Sequence, residues 1–530
     1  MSTPGKRLAL LVAAAAIPAC YTASIEGRFL DQPIVWRVDD ARGIREPVWR
    51  YSATVVQKVI EKIDRPDDLP AQNTNALGEV PDSTWFTNRI GMSELTPAQA
   101  ITGPDVSGPP QPPYRIVEGK IEGLSPGFLF DDARGIRYLL KFDTAENPEQ
   151  QTAAEVIASR IFWAAGYNVP SNHLLLFTRD ELELAPDIVY KVPRTKRRRR
   201  LDWEAVDALL ANAARHPDGR YRAMVSELLE GKRKGGWLPL GVRKDDPNDV
   251  VPHQYRRELR GLRVIAAWLG QTDMTRENTL DMYVRDGGRG YLRHYLVDFG
   301  GAFGGQQSEL GRKEVGWEHS WDLSRSGKAT MSFGLWTREW ERQQLTEWKS
   351  IGYYSAQRFD PTRWVEFEPY EPFRNMDVTD AYWAAKIVMK FDRTMIEALV
   401  AVGELSEPGA AEYLVDTLLA RRDKVGETYL EAVTPLDWFE LERRKLCAVD
   451  LGVRYKFARA GVVELVSRTG ELLGEYPVNR AGRVCIPIAD DTNYRILRLR
   501  IRRGRHAKPL MQIHYKGGKR ARILGVIRVQ

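Results

Sequence analysis

The order in which the hydrophobic period changes along this chain constrains its fold more than any single motif. Between Tyr114 and Phe142 three apolar runs, PYRIVEGK, FLF and IRYLLKF, are separated by the turn-forming stretches EGLSPGF and DDARG. That pattern predicts three strands joined by two turns. A helical period follows at about Glu149–Ala165, with Val156, Ile157, Ile161 and Ala164 on one stripe and Gly166 placed to cap it. Strand-like runs return at HLLLF, IVYKV and AMVSELLEG, and the spacing is then mostly helical to about Trp438. Its best helix covers Gln254–Leu269, with others expected at Asp380–Phe391, Arg393–Gly403 and Glu407–Lys424. From about Cys447 the period falls to two: in RILRLRIRR, Leu497, Leu499 and Ile501 alternate with Arg498, Arg500 and Arg502. Such a chain predicts an α+β protein with a β-rich lobe, a helical lobe and a terminal antiparallel β-domain.

At 530 residues the chain exceeds what one core organises, and two to four domains are expected. The divisions predicted are 1–20, 21–113 (an N-terminal extension ending in the linker TGPDVSGPPQPP), 114–235, 236–440 and 441–530. One helix is expected in the extension at about Val48–Ile63. The net charge of +7 is modest for this length and gives no support to nucleic-acid binding. Lys6 and Arg7 precede an alanine-rich apolar run, Leu8–Ile17, and Pro18-Ala19-Cys20 follows, which reads as an export signal. Cys20 directly after a small residue resembles the bacterial lipobox, whose thiol is acylated; a plain secretory signal is the alternative. The first reading predicts a lipoprotein of the bacterial cell envelope, held to a membrane through Cys20 and facing periplasm or surface. No later run reaches the ~18–20 apolar residues of a membrane span. Cys447 and Cys485 share the terminal β-domain; in an oxidising compartment they form a disulfide, and two buried thiols are the alternative.

Five polar residues fall where phosphoryl-transfer chemistry needs them. Lys141 ends the third strand, where a cation can hold nucleotide phosphates, and Glu155 lies fourteen residues later on the helix, able to keep that ammonium aimed. Asp273 and Asn278 stand five apart in LGQTDMTRENTLD, directly after the long helix. That is the spacing of a catalytic loop in which the aspartate takes a hydroxyl proton and the asparagine ligates a metal. Asp298 closes the strand of YLVDFG, where glycines release it towards a cleft as a second metal ligand.

The order and the motifs resemble atypical kinases. YLLKFD…AAEVIASRIFWAAGYNVP is similar to the lysine strand and following helix of HipA-like kinases. CotH-like kinases, the secretory-pathway casein kinases and the phosphoinositide kinases share that bilobal protein-kinase-like fold. HipA-like and phosphoinositide enzymes carry a histidine two residues after the aspartate; here Thr275 stands there. The resemblance spans roughly residues 114–440. It implies a β-rich N-lobe and helical C-lobe, Mg2+ and ATP as cofactors, and a protein or envelope component as acceptor. A catalytically weak binding or scaffolding module on the same fold is the alternative.

Weaker signals accompany these. Gly119, Gly123 and Gly127 lie where a phosphate-covering turn would sit, and Ser125 there is a candidate nucleotide contact. Asp245, Asp246 and Asp249 invite a metal reading, with a capped loop favoured. The basic run Lys196–Arg200 reads as a solvated loop, and the tryptophans between Trp317 and Trp383 read as core.

Overall fold

The computed structural model describes residues 68–119, 127–191, 198–305, 313–319, 331, 337–442, 444–489, 491–518 and 521–529. Cys20, the helix expected at Val48–Ile63 and Ser125 therefore lie outside the described residues. The three expected strands form: β1 (Tyr114–Gly119), β2 (Gly127–Asp131) and β3 (Arg137–Phe142) make an antiparallel meander. The turn between β2 and β3 holds itself together, because Asp132 accepts from the Arg134 and Ile136 amides. With β4 (Asn172–Phe177), β5 (Leu182–Leu184) and β8 (Tyr221–Glu227), these strands form a six-stranded sheet in the order β4-β8-β3-β2-β1-β5. Phe128, Phe130, Tyr138, Leu140, Phe142, Phe177 and Val225 fill the core on one face of this sheet. A small hairpin of β6 (Val189–Lys191) and β7 (Arg198–Arg200) carries the end of the basic run, and its three arginines are exposed.

The remaining core is larger and helical. Following the short α1 (Pro97–Thr102), helix α2 (Gln150–Ala165) packs beneath the sheet, and α3 (Trp203–Leu210) lies in the polar insert. Helices α4 (Arg257–Leu269), α5 (Val378–Val388), α6 (Arg393–Ala401) and α7 (Ala410–Leu430) build the second lobe. The long helix starts three residues later than the apolar spacing suggests, because His253–Tyr255 form a separate 3-10 turn after Pro252. Between the lobes run β9 (Lys232–Arg233) and the hairpin of β10 (Thr279–Asp286) and β11 (Arg289–Leu296). The described part of the extension has no core of its own: Val80, Trp85, Phe86 and Ile90 are buried with α2 and α4. This is an α+β arrangement of a β-rich lobe, a helical lobe and a terminal β-domain, as the hydrophobic periods lead one to expect.

The β-domain begins at Leu436, inside what the spacing assigned to the helical lobe, and runs from β12 (Leu436–Glu442) to β20 (Arg522–Arg528). It comprises a three-stranded sheet, β12-β13-β16, and a second sheet in which β14 (Val462–Val466), β15 (Leu472–Pro477) and β19 (Met511–Lys516) join β17 and β20 in the order β15-β14-β17-β19-β20. β17 (Tyr494–Arg503) keeps the expected alternation, with Leu497, Leu499 and Ile501 buried. β13 (Lys445–Asp450) and β16 (Arg483–Pro487) place Cys447 opposite Cys485, and a disulfide joins them.

Helix α5 is fixed to α4 by a fully buried carboxylate. Asp380 accepts from Arg257 Nε at 2.9 Å and Arg260 Nη1 at 3.2 Å, and also caps its own helix through the Asp377 amide. Removing one partner of a buried ion pair leaves uncompensated charge, a cost of about 3–5 kcal/mol. Asp380→Ala is therefore expected to lower the unfolding free energy by about that amount, read from denaturant titration.

Candidate active site

The site is assembled at the seam between sheet and helices. Two residues beyond Lys141, Asp143 is buried and accepts from the Gln151 and Thr152 amides at 2.8 and 3.0 Å, satisfying the open N-terminus of α2. Arg222 reinforces the joint by donating to the Thr152 hydroxyl at 3.1 Å. β3 and α2 are thereby locked together, which sets Glu155 under the strand that carries Lys141. Gly127 faces Lys141 across the β2–β3 pair, and a Cβ there would lie 1.9 Å from the Leu140 carbonyl, so only glycine admits this approach.

Lys141 makes its ion pair with Asp298, Nζ to Oδ2, at 3.0 Å. This differs from the expected lysine–Glu155 pair, and the reason lies in the backbone. Glu155 Oε2 accepts from the Phe299 amide at 2.7 Å, and Oε1 from the Asn172 amide group at 3.3 Å. Its carboxylate is spent on the turn after Asp298 and reaches Lys141 through its field. Burial works against the Lys141 ammonium, but the charges of Asp298, Glu155 and Asp273 outweigh it and hold its pKa above that of an ordinary lysine. Burial pushes Glu155 the other way, up to about 7, against the pull of Lys141 and with the repulsion of Asp298 adding to it.

Asp298 has a left-handed backbone, φ 63°, which costs a non-glycine residue of order 1 kcal/mol. Two hydrogen bonds hold it there. Gln271 Nε2 donates to the Asp298 carbonyl at 3.0 Å, and the next amide, that of Phe299, goes to Glu155. The Phe299 ring packs against Phe162 of α2, with centroids 5.1 Å apart. The Asp298 side chain is left half exposed, at 50%.

The Asp273–Asn278 loop meets this turn. Asn278 Nδ2 donates to the Asp273 carbonyl at 2.9 Å, and the Val297 amide donates to the Asn278 carbonyl at 3.0 Å. The amide nitrogen of Asn278 is thus used within the loop, and its oxygen is the atom suited to a cation. Burial raises the Asp273 pKa and the fields of Asp298 and Glu368 add to it, while hydrogen bonds from Asn278 and Thr275 work against the rise. Thr275, two residues after Asp273, stands at the N-cap of the short 3-10 turn Arg276–Asn278 that carries the asparagine.

Lys141, Glu155, Asp273, Asn278 and Asp298 are linked through this network; Ser125 lies outside the described residues. Asp143 and Gln271 were not singled out in the sequence. Asp143 stands eight residues before the amide it caps, and Gln271 reads as an ordinary post-helix amide; only its place two residues before Asp273 hinted at a role. In the acidic loop, Asp245 and Asp249 are engaged by neighbouring cations, as the capped-loop reading expects. Asp249 accepts from His253 at 2.7 Å and Arg256 at 2.8 Å, and Asp245 lies 3.1 Å from Arg243. A cavity of about 420 Å³ lies beneath the loop, touching Gly270, Thr272 and Gly304, but none of the five charged or amide residues lines it. The cleft is defined by its charges, not by that volume.

No protein-family model and no curated protein matches the chain by sequence. Among solved structures, the Golgi casein kinase with Mn and ADP bound is similar at 12% identity and a TM-score of 0.32, covering 60% of this chain and 72% of that one. A second Golgi casein kinase structure is similar at 11% identity and a TM-score of 0.33, covering 74% of this chain and 92% of that one. Likenesses this slight carry no argument about the site, and its reading rests on the side chains above.

Two outcomes are expected. Glu155 is raised above its ordinary range, so its protonation favours the folded state in full at low pH, and that contribution is lost as pH rises through about 7. Glu155→Gln, which cannot ionise, should flatten this part of the stability–pH profile in thermal unfolding. Gln271→Leu removes the donor to the Asp298 carbonyl and should cost about 1–2 kcal/mol in denaturant unfolding.

Proposed function

We propose that the chain is a divalent-metal- and ATP-dependent phosphotransferase acting on a hydroxyl of a protein or envelope component. The observation that carries this reading is the Lys141–Asp298 pair at 3.0 Å, set beside the Asp273–Asn278 loop. The two partners offer the charges a metal–phosphate pair requires, a cation for phosphate oxygens and a half-exposed carboxylate for the metal. Asp298 and the Asn278 amide oxygen form a hard oxygen donor set suited to Mg2+. When bound, the cation would neutralise charge on the β- and γ-phosphates.

Each residue then has one task. Lys141 holds the phosphate oxygens, and Glu155 fixes the turn that presents Asp298. Gln271 holds the Asp298 carbonyl. Asp273, with its pKa raised by burial, is a better proton acceptor for the attacking hydroxyl than an ordinary aspartate. Residues 1–20 support a place in the bacterial cell envelope, with Cys20 as the acylated anchor.

The test uses the full chain with ATP and either Mg2+ or Mn2+. Nucleotide binding is followed by calorimetry, and phosphate on the protein or on an envelope fraction by mass spectrometry. Asp298→Ala should lose cation-dependent nucleotide binding. Asp273→Asn should keep binding and lose transfer by about a hundredfold or more. Absence of nucleotide binding with either cation would sink the proposal.

A further inference from the structure

The loop between β9 and the 3-10 turn at His253 is inverted over part of its length. Four of its charged and polar members point inward: Asp246, Asp249 and His253 are buried, and the Arg243 side chain is 8% exposed. Four of its aliphatic members point outward, with Leu238 at 44%, Leu240 at 41%, Val242 at 36% and Val250 at 70% exposure, while Trp237 is buried. The inversion is built, because the inward groups have specific partners. Arg243 pairs with Asp281 at 2.7 Å and donates to the Lys234 carbonyl at 3.0 Å. Asp249 accepts from the Arg243 amide at 2.6 Å as well as from His253 and Arg256. The His253 amide donates to the Gly241 carbonyl at 2.8 Å, and its ring bonds to the Leu238 carbonyl. These links bring the stretches around Leu238, Val242 and Val250 together at one surface.

Four exposed aliphatic side chains on a loop this firmly tied call for a cover that is not water. The charges beside them indicate its chemistry. Lys232 and Arg233 of β9 and Lys244 of the loop are exposed, whereas the loop's exposed carboxylate Asp245 sits on Arg243. Lysine is depleted from the centres of protein–protein interfaces. Aliphatic groups flanked by lysine and arginine match the boundary of an anionic lipid layer, where the side chains enter among the acyl chains and the cations meet headgroup phosphates.

We propose that this face, centred on Leu240, docks on an anionic lipid surface. The contact is independent of any acyl anchor and of catalysis. It would also orient the cleft. The Trp237 amide donates to Thr279 Oγ1 at 3.2 Å and Arg276 Nε to the Gly236 carbonyl at 3.0 Å, so the loop is tied to the segment that holds Asn278. Docking would therefore set the Asp273–Asn278 loop near the lipid.

The test uses the full chain carrying Cys20→Ser, so that no acyl anchor forms, and Leu240→Cys labelled with an environment-sensitive fluorophore; Cys447 and Cys485 are held in their disulfide. A second sample carries the label at Arg468→Cys, on the β14–β15 turn of the terminal domain. Vesicles of phosphatidylcholine with phosphatidylglycerol should shift emission from position 240 to the blue and raise it. The same vesicles should leave position 468 unchanged. The shift should fade with added salt and in the double variant Lys232→Glu, Lys244→Glu. Three results would overturn the proposal: no shift at 240 with anionic vesicles; an equal shift with phosphatidylcholine alone; or a shift that grows with protein concentration without vesicles, which would make a second copy the cover.

Discussion

The seam between the two lobes depends on one buried carboxylate, that of Glu155. It is reached from above by the field of a lysine on the sheet and from the side by the amide of Phe299. A charged group in such a place is tolerated only when its lone pairs are used and a counter-charge is near. Those two requirements fix where β3, α2 and the turn after β11 must stand relative to one another. The aromatic packing of Phe299 on Phe162 then closes the space behind it.

Because Glu155 is used on the turn, Lys141 and Asp298 have each other. An ion pair across a cleft between lobes is a contact that a charged ligand can replace on both sides at once, so it holds the two lobes in register without blocking the cleft. The left-handed backbone of Asp298 serves the same end. Its carboxylate is lifted towards solvent while its carbonyl and the next amide are held by Gln271 and Glu155.

Much of this was legible in the sequence, for physical reasons that differ by residue. The sheet and helices follow from hydrophobic period, and β17 shows it most plainly, with Leu497, Leu499 and Ile501 buried between arginines. Lys141, Asp273, Asn278 and Asp298 stood out because each sits at the end of an apolar element, where a polar side chain is placed by the element and not by its neighbours. Asp143 and Gln271 did not stand out. Their partners are backbone groups, of a helix end and of a turn, and backbone groups leave no mark on a sequence. The same limit hid the exchange of partners at Glu155, since spacing shows which side chains can meet but not which amide competes for them. The inverted loop near Leu240 was also illegible, because an exposed leucine and a buried one are the same letter.

The strand β20 has a consequence for how the molecule is completed. Its Val526 amide donates to the Ala76 carbonyl at 2.9 Å, and Arg528 donates to the Leu436 carbonyl at 2.7 Å and lies 3.0 Å from Asp437 and 3.1 Å from the Tyr382 hydroxyl. The latest described strand in chain order is thus the clasp of a belt: it fastens the start of the described chain, a helix of the C-lobe and the root of the β-domain at one place. Contacts so distant in sequence close very long loops, and the entropy of that closure grows only slowly with their length. Three parts far apart in the chain thus share one fastening, and a cut that freed β20 would loosen all three together.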